Sequence, residues 1–188
     1  MWIGTTTDGA YRLQLDKNEL THPILKGNIT SIYQDSEGEL WIGSWEEGLH
    51  HVKTDGTIEI FEYDAKNPYS ISSNFVRACC EDNLGNIWIG TFNGLNRYDK
   101  STGLFQNHTA SDAQSDGLTH SSIWCIVKDN QGTLWLGTYF GGVNYFNPEY
   151  EIYSRYMYSP IEKKGLSNPV VGRTIEDKDG NLWIGTEG

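Results

Sequence analysis

The stretch that decides the fold is DNLGNIWIGTFNGLNRYD, residues 82–99. Its W-I-G-T core recurs in DSEGELWIGSWEEGLHHV (35–52), DNQGTLWLGTYFGGVNYF (129–146), DKDGNLWIGTEG (177–188) and the opening MWIGT. The tryptophans of the copies are Trp2, Trp41, Trp88, Trp135 and Trp183, at intervals of 39, 47, 47 and 48 residues. The chain is therefore a repeat protein whose period is close to that of several known repeat architectures.

Each repeat is composed of short segments that are rich in aromatic and β-branched residues and are separated by Gly, Asn and Asp. No helical spacing of apolar residues is sustained, so we expect strands. One unit contains strand a at 74–82, strand b at 86–91, strand c at 94–99 and strand d at 103–109. Four antiparallel strands per unit at this period predict an all-β fold, a β-propeller of four-stranded antiparallel blades.

The repeat also predicts the domain organisation, a single propeller segment over 1–188 with about four blades. We expect complete blades at 28–62, 75–110 and 122–158, strands b, c and d of a first blade at 2–20, and strands a and b of a last blade at 170–187. Three arrangements are open: a partial propeller from a larger sensor protein, a small closed ring, or half of an eight-bladed ring built by two chains. Unpaired strand edges promote association, so we expect self-association through the open blade edges.

Asp, Gly and Trp recur at the same spacing in the copies, which suggests a role for each of these residue types. In a propeller both faces of a sheet pack on neighbouring sheets, so we expect Trp88 to fill the gap between blades. Gly90 would allow the next backbone to approach closely. Asp82 and Gly85 suit the turn between strands a and b, because Asp bonds its own backbone and Gly tolerates positive φ.

Composition excludes several classes of partner. The formal charge of −11 argues against nucleic acid and against an anionic membrane, both of which need clustered Lys and Arg. No run of 18 apolar residues is present, so we expect no direct membrane insertion of this segment. Cys79, Cys80 and Cys125 have neither a metal spacing nor an even disulfide set, and we interpret them as small core residues. We assign no cofactor and no metal site, since the DKDG turn at Asp177 lacks the later acidic ligands of a calcium loop.

The pattern V/I-x-x-I/C-x-x-D-x-x-G-x-L/I-W-I/L-G-T-x-x-G-L-x-x-Y resembles the two-component regulator propeller repeat. It is carried by residues 29–52, 76–98 and 123–146 and by partial copies at either end. In that family the repeats build the periplasmic sensor of hybrid two-component systems, ahead of a membrane helix and a histidine kinase. The resemblance implies a non-enzymatic, periplasmic sensor segment that binds an oligosaccharide and relays the signal to a histidine kinase in a larger receptor.

Candidate ligand residues occupy two sets of positions that the fold leaves variable. The b-to-c turns carry Thr6, Trp45, Phe92 and Tyr139, and the start of strand a carries Thr30, Arg77, Trp124 and Gly172, with Arg173 after the last. Propeller topology places both sets at one end of the ring. We therefore predict a saccharide site formed by Trp45, Arg77, Phe92, Trp124, Tyr139 and Arg173. Rings would stack on sugar faces, and guanidinium groups would bind hydroxyl or carboxylate groups.

Other interpretations of the same residues are open. The aromatic side chains can instead cap the packing between blades, and the two arginines can pair with acids such as Glu46 and Glu47. An assembly scaffold or dimerisation propeller would bind no small ligand. A propeller-type lyase would need an acid/base pair such as His120 with Glu46 or Glu47. No nucleophile elbow or phosphate-binding loop occurs, and we assign no catalytic residue.

Overall fold

The computed structural model describes residues 1–21, 23–110, 117–150, 153–160 and 165–187. Within these residues the regular elements are β-strands, and all pairings between them are antiparallel. The described chain contains no helix of the length and hydropathy needed to cross a membrane. The predicted all-β class with four-stranded antiparallel blades is confirmed.

The strands form five sheets, which we number as blades in chain order. Blade 1 contains β1 (Trp2–Gly4), β2 (Ala10–Gln14) and β3 (Glu19–Leu20). Blade 2 contains β4 (Ile29–Gln34), β5 (Leu40–Ser44), β6 (Leu49–Val52) and β7 (Ile58–Phe61). Blade 3 contains β8 (Val76–Glu81), β9 (Ile87–Thr91), β10 (Gly94–Asp99) and β11 (Leu104–His108). Blade 4 contains β12 (Ile123–Lys128), β13 (Leu134–Thr138), β14 (Val143–Phe146) and β15 (Ser154–Tyr156), and blade 5 contains β16 (Val171–Glu176) and β17 (Leu182–Thr186).

An aspartate organises the turn between the first and second strands of each blade from 2 to 5. In blade 3, Asp82 Oδ1 accepts the backbone N–H groups of Leu84 and Asn86 at 2.8 and 2.9 Å, and Gly85 has a φ of 83°. The second oxygen, Oδ2, accepts the indole N–H of Trp88 at 2.7 Å. The same indole bond joins Asp35 to Trp41 at 2.9 Å, Asp129 to Trp135 at 2.8 Å and Asp177 to Trp183 at 2.8 Å. The carboxylate therefore accepts hydrogen bonds both from the backbone of the turn and from the indole. The sequence predicted only the bonds to the turn.

Trp41 and Trp88 fill the gaps between blades, as predicted for Trp88. Trp88 is fully buried and packs against Phe146 of blade 4, with ring centroids 5.1 Å apart. Trp41 is also fully buried, in a cluster that includes Val76 and Cys79 of blade 3. These two indoles thus pack against the blade that follows them, and burial of large apolar side chains holds neighbouring blades together.

The glycine of each W-I-G or W-L-G core allows close packing of the next blade. The atoms of that blade that approach the glycine belong to a side chain, whereas we expected its backbone. A Cβ at Gly90 would lie 2.7 Å from Cγ2 of Ile123, the first residue of β12. The same 2.7 Å separates a Cβ at Gly43 from Val76 Cγ1, one at Gly137 from Val171 Cγ1 and one at Gly4 from Ile29 Cγ2. A β-branched residue at the start of each first strand therefore occupies the space that glycine leaves.

Blade 5 presents an uncovered face. A Cβ at Gly185 would meet only the carbonyl oxygen of Arg173, which lies 3.6 Å away in the same blade. The side chains of Ile175 and Trp183 are 64% and 63% exposed. The described chain is therefore a partial propeller and not a small closed ring. A larger ring made by two chains stays a prediction.

Candidate ligand site

One residue of each first strand is set apart from the regular strand ladder. The pairing register shifts between Ile29 and Ser31, Val76 and Ala78, Ile123 and Cys125, and Val171 and Arg173. The residues inside these β-bulges are Thr30, Arg77, Trp124 and Gly172. A bulge releases one side chain from the alternation of a strand and aims it in a new direction. The bulges of blades 2, 3 and 4 therefore present the side chains of Thr30, Arg77 and Trp124 at the same end of the propeller, which we call the upper end.

The turns between the second and third strands are tied to the same end. The backbone N–H of Trp45 donates to the carbonyl of Asn28 at 3.0 Å, immediately before β4. Phe92 is bound in the same way to Phe75, at 3.0 Å, and Tyr139 to Ser122, at 3.1 Å. Because each bond joins a turn to the residue preceding the first strand, turn residues and bulge residues lie side by side.

Arg77 lies at the centre of these residues. Its Cζ is 4.3 Å from the ring centroid of Trp124, 5.2 Å from that of Trp45 and 5.9 Å from that of Phe92. These rings belong to blades 4, 2 and 3, so one guanidinium contacts three consecutive blades. Distances of this size are within the range of cation–π attraction.

Two buried polar atoms of this cluster lack a hydrogen-bond partner among the described residues. The N–H groups of Arg77 Nε and Trp124 Nε1 are buried and donate no hydrogen bond to the described residues. Arg77 also forms no ion pair there, so the expected alternative of pairing with Glu46 or Glu47 is not what the structure shows. Burial lowers the pKa of the Arg77 guanidinium, because the charged form loses hydration.

The rings around Arg77 remain accessible from solvent. Trp124 stacks on Tyr139 with centroids 5.3 Å apart and planes 10° from parallel. Trp45, Phe92 and Tyr139 are 39%, 55% and 36% exposed. Partly exposed, mutually braced rings are suited to stacking on an apolar face of a ligand.

A cavity of about 490 Å³ opens beside this cluster. Trp45, Arg77, Trp124 and Arg173 contribute to its wall, together with Thr6 from blade 1. A second cavity, of about 340 Å³, shares Arg77, Trp124 and Arg173 and continues between the first strands of blades 2 to 5. The two cavities therefore adjoin at the upper end, along the first strands of blades 2 to 5.

All six predicted site residues therefore lie at the upper end. Ring contacts join Trp45, Phe92, Trp124 and Tyr139 to Arg77 or to one another, and Arg173 lines the same cavity. The sequence did not indicate Phe75, which braces Trp45 edge-on at 5.6 Å and Phe92 at 6.1 Å. Its position immediately before β8, where turn and strand are hydrogen-bonded, is the signal that could have identified it.

An acidic cluster at the opposite, Asp-turn end is already partnered. Carboxylate oxygens of Asp35, Glu37 and Glu39 lie within 4.8 Å of one another. Lys100 Nζ contacts Asp35 at 2.9 Å and Glu37 at 3.1 Å, while His51 Nε2 lies 2.6 Å from Glu39. Burial raises the pKa of Asp35, but hydrogen bonds from Trp41 and Lys100 outweigh it and the pKa is lowered. These acids stabilise the packing of blades 2 and 3.

His120, the residue considered for acid/base chemistry, has structural contacts. Its Nδ1 accepts the backbone N–H of Ser122 at 3.0 Å, and its ring lies 6.4 Å from those of Tyr139 and Phe140. The histidine thereby fixes the start of β12 and supports the aromatic turn beside it.

Comparison with known families and structures adds to this geometry. The family model described as two component regulator propeller matches residues 23–46, 70–93, 117–140 and 165–188, half of the chain. No curated protein matches the sequence.

Several solved structures share the fold. The extracellular domain of the hybrid two component system BT3049 from B. thetaiotaomicron is 24% identical, with a TM-score of 0.76 over 98% of this chain and 23% of that one. That of BT4673 from the same organism is 23% identical, with a TM-score of 0.76 over 98% and 24% of the two chains. Virginiamycin B lyase from Staphylococcus aureus is 14% identical, with a TM-score of 0.71 over 97% and 58%. At these identities the likeness shows the fold alone, and this chain spans about a quarter of each extracellular domain.

Proposed function

Since this chain belongs to the two component regulator propeller family, we propose that it is a non-enzymatic sensor segment of a hybrid two-component system. In the intact receptor it lies in the periplasm and binds an oligosaccharide at its upper end. Binding is relayed through the receptor to a histidine kinase. The fold that it shares with extracellular domains of two-component systems supports this proposal.

The observation that carries the proposal is the convergence of three blades on one accessible cluster. Trp45 of blade 2, Arg77 of blade 3 and Trp124 of blade 4 meet beside a cavity of about 490 Å³. Clefts of a few hundred Å³ with aromatic walls and few polar groups are typical ligand sites. An oligosaccharide is extended enough to contact several blades at once.

This geometry also suggests how binding becomes a signal. A ligand that touches blades 2, 3 and 4 has contacts that depend on the angles between them. It therefore has different affinities for two arrangements of the blades and shifts the population toward one of them. The relay requires nothing catalytic from this segment.

Calorimetry of the 188-residue chain against a panel of oligosaccharides tests the proposal. For the sugar that binds, Trp45→Ala and Trp124→Ala should each weaken affinity about five- to tenfold, because an aromatic stack contributes on the order of 1 kcal/mol. Trp183→Ala is the matched control, since Trp183 is 63% exposed on blade 5 and outside the cluster. Unchanged affinity in both site variants would place the ligand elsewhere and overturn the proposed site.

A second candidate function, self-association, is favoured by the uncovered face of blade 5. We define the Trp183 face by Ile175, Trp183 and Gly185. On blades 2 and 3 the equivalent face is covered by the next blade of the same chain, and in a second copy blade 1 is the one that follows no other described blade, so it is the surface that would cover the Trp183 face. Apolar surface of this kind commonly marks an interaction site.

Light scattering tests the self-association proposal. A mass near twice 21.3 kDa that falls toward 21.3 kDa in Trp183→Ser would support pairing through the Trp183 face. Phe92→Ser is a suitable control, because Phe92 is exposed at 55% but lies at the upper end. A monomer at every concentration would rule this candidate out.

A further inference from the structure

Arg77 combines partial burial among aromatic rings with the absence of an ion pair within the described residues. Asp and Glu outnumber Lys and Arg by 25 to 14, and the two half-buried lysines near blade 2 both pair with carboxylates. Lys100 contacts Asp35, Glu37 and Glu81, and Lys53 contacts Glu59. Arg77 has no such partner among the described residues, although it is half-buried. A desolvated cation without a counter-ion is unfavourable unless another molecule supplies the charge.

Ring stacking restricts what can bind to the Arg77 guanidinium. Trp124 and Trp45 contact it at 4.3 and 5.2 Å, and the N–H donors of a guanidinium lie in its plane. Nε is buried and lacks a partner. A carboxylate matches the planar arrangement of these donors and can accept two of them.

The cavity beside Arg77 has a positive lining. The second cation of the cavity is Arg173, which is exposed and forms no ion pair within the described ranges. None of the residues in the wall of the cavity is acidic, whereas the whole chain has a formal charge of −11. A concave site of one sign attracts ligands of the opposite sign, even when the net charge of the protein repels them.

We infer that the upper end binds an acidic saccharide, whose anionic group pairs with Arg77 and Arg173 while its sugar ring stacks on Trp45 or Trp124. This inference rests on the proposed function and specifies the class of its ligand. A neutral sugar hydroxyl could accept a hydrogen bond from Arg77 but would leave its charge unbalanced. Hydrogen bonds to an ionised group are roughly twice as strong as those between neutral groups.

NMR of the ¹⁵N-labelled 188-residue protein provides the test, with the arginine Nε–H resonances as the readout. The probes are D-glucuronate, D-glucose 6-sulfate and D-glucose, which share one ring and differ in their anionic group. D-glucuronate should shift the Arg77 Nε–H resonance, and D-glucose should not. A larger shift with D-glucose 6-sulfate would identify a sulfate, instead of a carboxylate, as the anionic group, and the inference would stand.

Matched variants assign the effect to this site. Arg77→Gln should remove the resonance and lower affinity for the acidic probe about tenfold or more, because charge-assisted hydrogen bonds are lost. Arg12 is the internal control, since its Cζ also lies over an indole, 5.8 Å from the Trp2 centroid, but away from the cavity. If Arg77→Gln does not fold, Arg173→Gln replaces it, because Arg173 is exposed and its loss should weaken the same probe several-fold.

The outcomes separate this inference from the proposed function. If D-glucose shifts the Arg77 resonance as much as D-glucuronate does, the site takes neutral sugars and the inference is wrong, while the sensor proposal stands. If no probe moves Arg77, or if Arg12 moves equally, the anion site is refuted. The Trp45 and Trp124 variants then decide the proposed function independently.

Discussion

Trp41 and Trp183 occupy equivalent positions in two copies of one repeat, yet their surroundings differ. Both donate their indole N–H to an aspartate six residues earlier, at 2.9 and 2.8 Å. Trp41 is fully buried, and Trp183 is 63% exposed. The conformation of the Asp turn and its tryptophan is thus formed within one blade. Burial of the indole, and with it most of the stabilisation, comes from the following blade.

The strongest test of this comparison is to truncate both indoles. Trp41→Ala should lower the free energy of unfolding by about 3–5 kcal/mol, because it empties the gap between blades 2 and 3. Trp183→Ala should cost less than about 1 kcal/mol, since solvent already reaches most of the ring. Urea unfolding of dilute protein measures both values. Equal losses in the two variants would mean that the indoles stabilise their own turns and not the contact between blades.

The glycines of the W-I-G cores test the same contrast between covered and uncovered blades, with a smaller expected effect. Gly90→Ala should destabilise by about 1–3 kcal/mol, because its Cβ would meet Ile123 Cγ2 at 2.7 Å. Gly185→Ala should change stability by no more than about 0.5 kcal/mol, since its nearest contact is a carbonyl oxygen at 3.6 Å. Thermal unfolding of the two variants compares them directly. A double variant, Gly90→Ala with Ile123→Ala, should lose less stability than the sum of the two single variants if the side chain of Ile123 is the cause.

The smallest expected effect concerns the proton equilibrium of the exposed Asp turn. Hydrogen bonds from the Trp183 indole and from the Asn181 backbone lower the pKa of Asp177 from 3.8 to about 2. The carboxylate interactions are therefore complete above pH 3.8 and are lost as the pH falls through about 2. The indole N–H resonance of Trp183 should report this step in an NMR titration. Asp177→Asn should remove the step, and a midpoint near 3.8 in the unchanged protein would show that the bond does not form in solution.

The cysteines show how strand periodicity predicts burial. Adjacent strand residues point to opposite faces, and Cys79 packs in the cluster of Trp41 while Cys80 packs in that of Trp88. Burial raises the pKa of their thiols, to about 12 and about 11. The interpretation of these residues as core residues follows from the sequence because both faces of a propeller blade are covered.

The ligand site was less accessible to sequence reasoning. Aligned repeats located the variable positions, because a position that the fold does not require can differ between copies. They could not show that Arg77 stacks on Trp124 and Trp45 instead of pairing with Glu46 or Glu47. That choice depends on side chains from three blades, and no local pattern contains it.

The sequence by itself determined the repeat, the four-stranded antiparallel unit, the Asp-Gly turns and the end of the propeller where variable residues collect. These features depend on residues within one repeat, where backbone conformation and short-range hydrogen bonds dominate. Only the tertiary structure decided which tryptophans are buried, that a β-branched side chain packs on the glycine of each covered W-I/L-G core, and that Arg77 has no counter-ion among the described residues. Those features arise from contacts between blades, whose energies depend on side chains that are distant along the chain and meet only after the blades have packed.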